Sequence, residues 1–413
     1  MTSSEVGTRL LLALAVVLVA TRCVGWLARR WGQPRVMGEI IAGILLGPSV
    51  LGLVAPGVVD HLFPAEVVAG LSAIAQVGLV LFMFLVGVGL DLDHLGGQGH
   101  RAVVISHTSI IVPFALGILL AFWLHPRVGG DASPASFALF MGVAMSITAF
   151  PVLVRILQDA GLDRTRIGAL VLASAAIDDV TAWCLLAVVV ALVGAGGPVD
   201  VVITVVASVL FVGVIIGILR PFLARRGTIS VPVAVTLAIV CAWITEIIGI
   251  HAIFGAFLAG VAMPRSEGNR EALSSQLETA ATVVLLPVFF AVVGLSTQLG
   301  LLDSPRLWAL AALVLVVAVA GKLGGASLAA RATGDPWRDS FAIGVLMNTR
   351  GLTELVVLTI GLELGVITET VFTMMVIMAL TTTLMAGPLL RAAGVWHRPG
   401  RSPSPIDDVG GNV

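Results

Sequence analysis

Leu10-Leu-Leu-Ala-Leu-Ala-Val-Val-Leu-Val-Ala20 is apolar at every position, and Ala309 to Ala320 repeats the pattern. Neither run alternates apolar with polar side chains, as a half-wet strand or a membrane barrel strand must. The rest of the chain is of the same kind: 58% of its 413 residues are hydrophobic and 11% are charged. A soluble domain carries about 25% charged residues, so lipid is the solvent for most of this chain. A backbone in lipid must satisfy its own hydrogen bonds, which leaves helices once a barrel is set aside.

Apolar runs broken by charge, Gly or Pro clusters predict thirteen transmembrane helices, near 7–28, 35–54, 66–90, 102–124, 135–157, 165–194, 199–220, 228–248, 250–264, 278–299, 306–330, 339–362 and 367–390. The first is too long for a secretory signal and lacks a small-residue cleavage site, so it is expected to stay. The short run at 250–264 is the hardest to place. Residues 394–413, rich in Pro, Gly and Ser, read as a disordered tail with no soluble domain after the last span.

Arginines set the orientation. With the N-terminus outside, the loops and tail on the cytoplasmic side collect seventeen, among them Arg29, Arg101, Arg166, Arg226 and Arg338. The other side holds only Arg9, Arg127 and Arg306. The positive-inside rule therefore predicts N-outside and C-inside, in a cell inner membrane. The net charge of -1 and the lack of a basic stripe give no reason to expect a nucleic-acid partner. Cys23, Cys184 and Cys241 lie in apolar runs without metal-ligand spacing and are read as packing residues.

Gly38-x-x-x-Ala42-Gly43 in the second span recurs as Gly255-x-x-x-Ala259-Gly260 in the ninth. Phe82 to Gly87 in the third recurs as Phe289 to Gly294 in the tenth. Both pairs lie seven spans apart, and an odd offset means opposite entry into the membrane. The pattern predicts an inverted-topology repeat: one copy over 7–194, a linker helix at 199–220, and a second copy over 228–393. Chance recurrence of small-residue packing motifs is the plainer alternative.

Ionisable groups at mid-membrane depth are costly and mark function by default. Asp178 and Asp179 fall mid-span in Ala173-Ser-Ala-Ala-Ile-Asp-Asp-Val-Thr-Ala-Trp183. Neighbouring helical positions diverge by about 100°, so one carboxylate can meet a partner helix while the other faces a cavity. Two such groups cannot both ionise cheaply without a cation, which suits a proton-for-cation exchange site. A buried structural pair would need only one of them. Lys322, the sole lysine, sits between glycines in Val319-Ala-Gly-Lys-Leu-Gly-Gly325. Lys can give up its proton when buried and Arg effectively cannot, so Lys322 is either a proton carrier or a static counter-ion. Helix breakers fall mid-span at Ser146-Ile-Thr-Ala-Phe-Pro151, where Pro151 is expected to interrupt its helix, and at Asn348-Thr-Arg-Gly351. Arg350 and Glu354 stand four apart and favour a structural pair. Glu39 is expected to be partly hydrated near a span end. Glu246 and His251 are expected near an external entrance, His251 chiefly as a packing residue.

Five stretches together carry a resemblance: Gly38-Glu-Ile-Ile-Ala-Gly-Ile-Leu-Leu-Gly-Pro48, Thr148-Ala-Phe-Pro-Val-Leu153, Asp178-Asp-Val-Thr-Ala-Trp183, Gly321-Lys-Leu-Gly324 and Asn348-Thr-Arg-Gly-Leu-Thr-Glu-Leu355. In this order they resemble the monovalent cation:proton antiporters of the Kef-like, plant CHX-like branch of the sodium/hydrogen exchangers. The resemblance implies two crossed broken helices in a mobile core beside a dimerisation domain, elevator-type alternating access, and a homodimer. It implies Asp179 as the main site for Na+ or K+ and protons, with Asp178, Thr148 and Ser146 contributing. Asp178 would pair with Lys322 when no cation is bound, and Pro151, Asn348, Arg350 and Glu354 would support the breaks. No cofactor is implied, and the chain is expected to be a transporter, not an enzyme. Potassium-efflux members often carry Gln or Asn where Asp178 stands, which leaves the ion open. The alternative is a sodium-coupled solute symporter on the same fold. An intramembrane aspartyl protease is disfavoured, because adjacent carboxylates on one helix cannot converge on one water.

Overall fold

A computed structural model describes residues 3–89, 99–162, 165–194, 198–264 and 266–395. Among them there is helix and no strand. In order the helices are α1 (Ser3–Arg30), α2 (Arg35–Leu46), α3 (Leu51–Val54), α4 (Pro56–Leu62), α5 (Ala65–Gly89), α6 (Gly99–Val128), α7 (Pro134–Ser146), α8 (Phe150–Ala160), α9 (Arg166–Gly194) and α10 (Pro198–Val214). There follow α11 (Arg220–Arg226), α12 (Val231–Ile248), α13 (Ala252–Val261), α14 (Glu267–Ala280), α15 (Leu286–Leu295), α16 (Pro305–Val319), α17 (Gly325–Ala332), α18 (Trp337–Met347), α19 (Leu352–Glu363) and α20 (Glu369–Ala392). Single π turns at Ile215–Leu219, Ala281–Leu285 and Ala320–Gly324 join α10 to α11, α14 to α15 and α16 to α17.

Ten helical segments among the described residues are long and apolar enough to cross a bilayer. The expected spans at 135–157, 250–264 and 339–362 hold shorter pieces instead: α7 with α8, α13 alone, and α18 with α19. Of the expected tail, residues 396–413 lie outside the described residues, as do Arg164, Arg265, Arg398 and Arg401.

The helices pack as two groups. α1, α2, α5, α12, α13 and α15 form one, while α6 to α9 and α16 to α20 form the other, with α10 touching both α9 and α12. The repeated glycine motifs show how the first group closes. A Cβ on Gly38 would lie 2.6 Å from Gly25 of α1, and one on Gly255 would lie 2.0 Å from the Cys241 carbonyl of α12. A Cβ on Gly43 would lie 2.3 Å from the Ala291 carbonyl of α15, and one on Gly260 2.1 Å from the Phe84 carbonyl of α5. Each copy of the small-residue motif therefore seats on its own preceding helix and on the Phe-to-Gly stretch of the other copy. Only glycine permits backbones to approach this closely.

Two sequence expectations change. Pro151 does not interrupt a running helix. The break lies before it, at Ile147 to Ala149, with Ile147 extended (φ -75°, ψ 138°). Pro151 is the second residue of α8, where a missing N–H costs nothing because first-turn donors have no helical partner; its side chain lies outside what the structure describes. Glu39 is not exposed at a span end. It is buried in α2, with an oxygen 2.8 Å from Nε of Arg35 one turn earlier.

Candidate functional site

The second group of helices is organised around two interruptions that touch. α7 stops at Ser146 and resumes as α8, and α18 stops at Met347 and resumes as α19 after Asn348 to Gly351. The amide of Ala149 donates to the carbonyl of Thr349 at 3.1 Å. A Cβ on Gly351 would meet Cγ2 of Val152 at 2.7 Å, so glycine is what lets the second break settle on α8. The C-terminal ends of helices expose unpaired carbonyls and carry partial negative charge. At the end of α7, Arg350 donates to the Ala144 carbonyl (3.1 Å) and the Met145 carbonyl (2.6 Å), and Lys322 donates to the Ser146 carbonyl. At the end of α18, the Met347 carbonyl lies 3.3 Å from the Thr148 hydroxyl.

Asp178 projects from α9 into a shell of donors and is wholly buried. One oxygen accepts from Ser106 at 2.9 Å and is 3.1 Å from the Ser109 hydroxyl. The other lies 3.0 Å from Ser109, 2.5 Å from Thr148 and 2.9 Å from Nζ of Lys322. Lys322 makes a third bond, to the Ser109 carbonyl at 3.1 Å, so its three N–H groups have three acceptors. Arg350 and Glu354 form the second buried pair at 2.9 Å, with Glu354 in the first turn of α19, where the helix dipole favours an anion.

Asp179 is different. It is 6% exposed, and its Oδ1 is buried with no hydrogen-bond partner among the described residues. Counting the charged residues around the two breaks, Lys322 balances Asp178 and Arg350 balances Glu354. Among the described side chains, Asp179 is the acid left over. An unpaired carboxylate is not tolerated in such a place, so this position needs one positive charge, from a proton or a cation.

The family model for the sodium/hydrogen exchanger transmembrane region matches residues 14–396. The chain belongs to the sodium/hydrogen exchanger family. Among relatives of this exchanger, the Na(+)/H(+) antiporter NhaS4 of Synechocystis is 42% identical over 394 residues, covering 92% of this chain and 96% of that one. The Cation/H(+) antiporter 17 of Arabidopsis thaliana is 41% identical, covering 96% of this chain and 49% of that protein, so the exchanger spans about half of the plant relative. The K(+)/H(+) antiporter 1 of Saccharomyces cerevisiae is 36% identical over 86% of this chain and 43% of its own. In fold, the exchanger is similar to the sodium proton antiporter MjNhaP1 of Methanocaldococcus jannaschii, with a TM-score of 0.63 at 13% identity over 95% of this chain and 98% of that one.

Of the residues singled out in the sequence, Asp178, Lys322 and Thr148 meet directly, and Ser146 joins them through its carbonyl; its hydroxyl turns back to Val143 at 2.7 Å. Asn348 is buried in the second break, its Oδ1 without a partner among the described residues. Glu246 and His251 stand apart. Glu246 accepts from the amide of Ala252 at 2.7 Å, and His251 caps α13 with its own backbone at φ 73°. His251 also lies 3.9 Å from Glu363 and lines a cavity of about 360 Å³ between α5, α15 and α19, together with Gln76, Ser296 and Thr359. Three site residues were missed: Ser106, Ser109 and Thr383, the last bonded to both the amide (2.9 Å) and the carbonyl (2.5 Å) of Arg350. The i, i+3 spacing of Ser106 and Ser109, in the polar stretch Ser106-His-Thr-Ser109 inside an otherwise apolar span, is the signal that could have found two of them.

Proposed function

We propose that this exchanger carries a monovalent cation, Na+ or K+, across the cell membrane in exchange for protons, with Asp179 as the group that takes one or the other. The observation that carries the reading is the surplus acid: Asp179 has a buried oxygen with no partner beside two internally balanced ion pairs. A proton and a monovalent cation each supply the one charge required, and each excludes the other, which is antiport. Asp178 and Lys322 hold the floor of the site, Thr148 links it to the second break, and Ser146 offers its carbonyl. The names of the relatives, which include Na(+)/H(+) and K(+)/H(+) antiporters, support the same class of reaction.

Alternating access is an elevator motion in this reading. The group holding the two breaks moves against the group built on α1, α2, α5, α12, α13 and α15, and the cavity between α5, α15 and α19 is one way in. The repeats over 7–194 and 228–393, either side of the linker at 199–220, supply the two opposed breaks. The protein sits in an inner membrane with its N-terminus outside, as a homodimer; the arginine distribution supports the first and the family resemblance the second.

The test is reconstitution of the purified protein in liposomes carrying a pH-sensitive dye. Na+ or K+ added to one side should move protons to that side, and Asp179→Asn should not. Equal exchange by Asp179→Asn would remove Asp179 from the site. Sodium-driven uptake of an organic solute without proton flux would replace antiport with symport.

A further inference from the structure

We infer that Pro113 is a positioning residue for the ion-exchange site: by lacking an N–H it frees the Ser109 carbonyl to receive Lys322 and so holds the lysine on Asp178. Within an α-helix the carbonyl of residue 109 receives the N–H of residue 113. In α6 residue 113 is a proline, buried in a helix that runs on unbroken from Gly99 to Val128. An interior proline costs about 3 kcal/mol in an ordinary helix and does not end this one. The freed carbonyl needs another donor, and in a membrane that donor comes from a neighbouring helix. Here it is Nζ of Lys322, at 3.1 Å.

The opposing helix is shaped to deliver the lysine to that turn. A Cβ on Gly321 would lie 2.9 Å from Cα and 3.0 Å from Cβ of Pro113. One turn on, a Cβ on Gly325 would lie 3.2 Å from Val112 and 3.3 Å from the Thr108 carbonyl. Glycine at both places lets the helix bearing Lys322 press on α6 beside the proline. The π turn Ala320–Gly324 falls on the same stretch; such turns insert one extra residue and often mark functional sites. Ser109 then grips both members of the pair, the lysine through its carbonyl and Asp178 through its hydroxyl. Pro113 touches no transported ion in this scheme and acts through Ser109 and Lys322.

The test is a double-mutant cycle between Pro113→Ala and Lys322→Met, read as thermal unfolding of the full-length protein in detergent. Alanine restores an N–H that competes with the lysine for the Ser109 carbonyl. The expected result is that Pro113→Ala lowers Tm by about 2 °C or more when Lys322 is present, and leaves it unchanged or raises it in the Lys322→Met background. The same shift in both backgrounds would overturn the inference, because a proline serving only to bend α6 has the same effect whatever stands at 322. Where Lys322→Met gives no folded protein, Lys322→Gln takes its place under the same criterion. In liposomes, Pro113→Ala should lower the maximal exchange rate several-fold more than it changes the KM for the cation; a pure KM effect would count against it. This transport arm rests on the antiport reading. Absence of cation-driven proton flux in the unaltered protein would defeat that reading and leave the unfolding cycle standing.

Discussion

The two broken helices are built alike and finished differently. In both, a helix stops at mid-depth, three or four residues run irregularly, and a second helix starts. At the first break the last carbonyls of α7 receive two full cations, Lys322 and Arg350. At the second, the carbonyls of Thr349 and Arg350 receive the Ala149 amide and the Thr383 hydroxyl, and that of Met347 lies 3.3 Å from the Thr148 hydroxyl. α9 faces the first break with Asp178, while α20 faces the second with Thr383. Backbone symmetry thus creates two equivalent sets of unsatisfied groups, and the side chains turn only one of them into a charged centre. The lesson is that two similar backbone breaks can end in one charged cluster, because the carbonyls of the second are met by neutral donors.

The contrast can be broken in order of severity. Asp179→Asn should abolish cation-driven proton movement in liposomes while the protein still folds, since the amide removes a charge that had no partner. Arg350→Met should be the largest stability loss. It leaves Glu354 buried and unpaired and strips donors from two carbonyls, and such half-broken pairs cost about 3–5 kcal/mol. The readout is the yield and melting temperature of purified protein. Thr148→Val and Thr383→Val then separate the two breaks. Each removes hydroxyl bonds to buried groups, a loss of about 1–3 kcal/mol. Only Thr148→Val also takes a donor from Asp178, so it should slow exchange several-fold beyond Thr383→Val at a similar melting temperature. Equal slowing by both would erase the distinction drawn here. Glu363→Gln, at the cavity rim and mostly exposed, should change the KM for the cation less than about twofold, in keeping with the small worth of exposed charges.

Much of this was readable in the chain itself. Long apolar runs admit only helices in lipid, so the spans and their rough ends follow from hydropathy, and buried charge in such runs marks Asp178, Asp179, Lys322, Arg350 and Glu354 whatever the tertiary arrangement. The paired glycine motifs marked sites of close helix packing, because close backbone approach needs glycine at particular positions, but the reciprocal seating of α2 on α15 and α13 on α5 came from the structure. Pro151 misled: a proline signals that a break is near but not on which side of it the helix restarts.

What the tertiary structure alone decided is which further donors and carbonyls meet those charges, beyond the pairing of Asp178 with Lys322 that the resemblance already implied. Lys322 reaches Asp178 across 144 positions, the Ser146 carbonyl across 176 and the Ser109 carbonyl across 213. No local pattern encodes contacts of that range, since helix periodicity reports which face a residue occupies but not which helix stands opposite. For the same reason Ser106, Ser109 and Thr383 passed as ordinary small polar residues, and only the family resemblance, not the residue pattern, told Asp178 from Asp179. Adjacent on one helix, they point to different neighbours. Asp178 meets a full set of donors and Asp179 a buried oxygen's worth of unmet demand, a difference set entirely by what packs against α9.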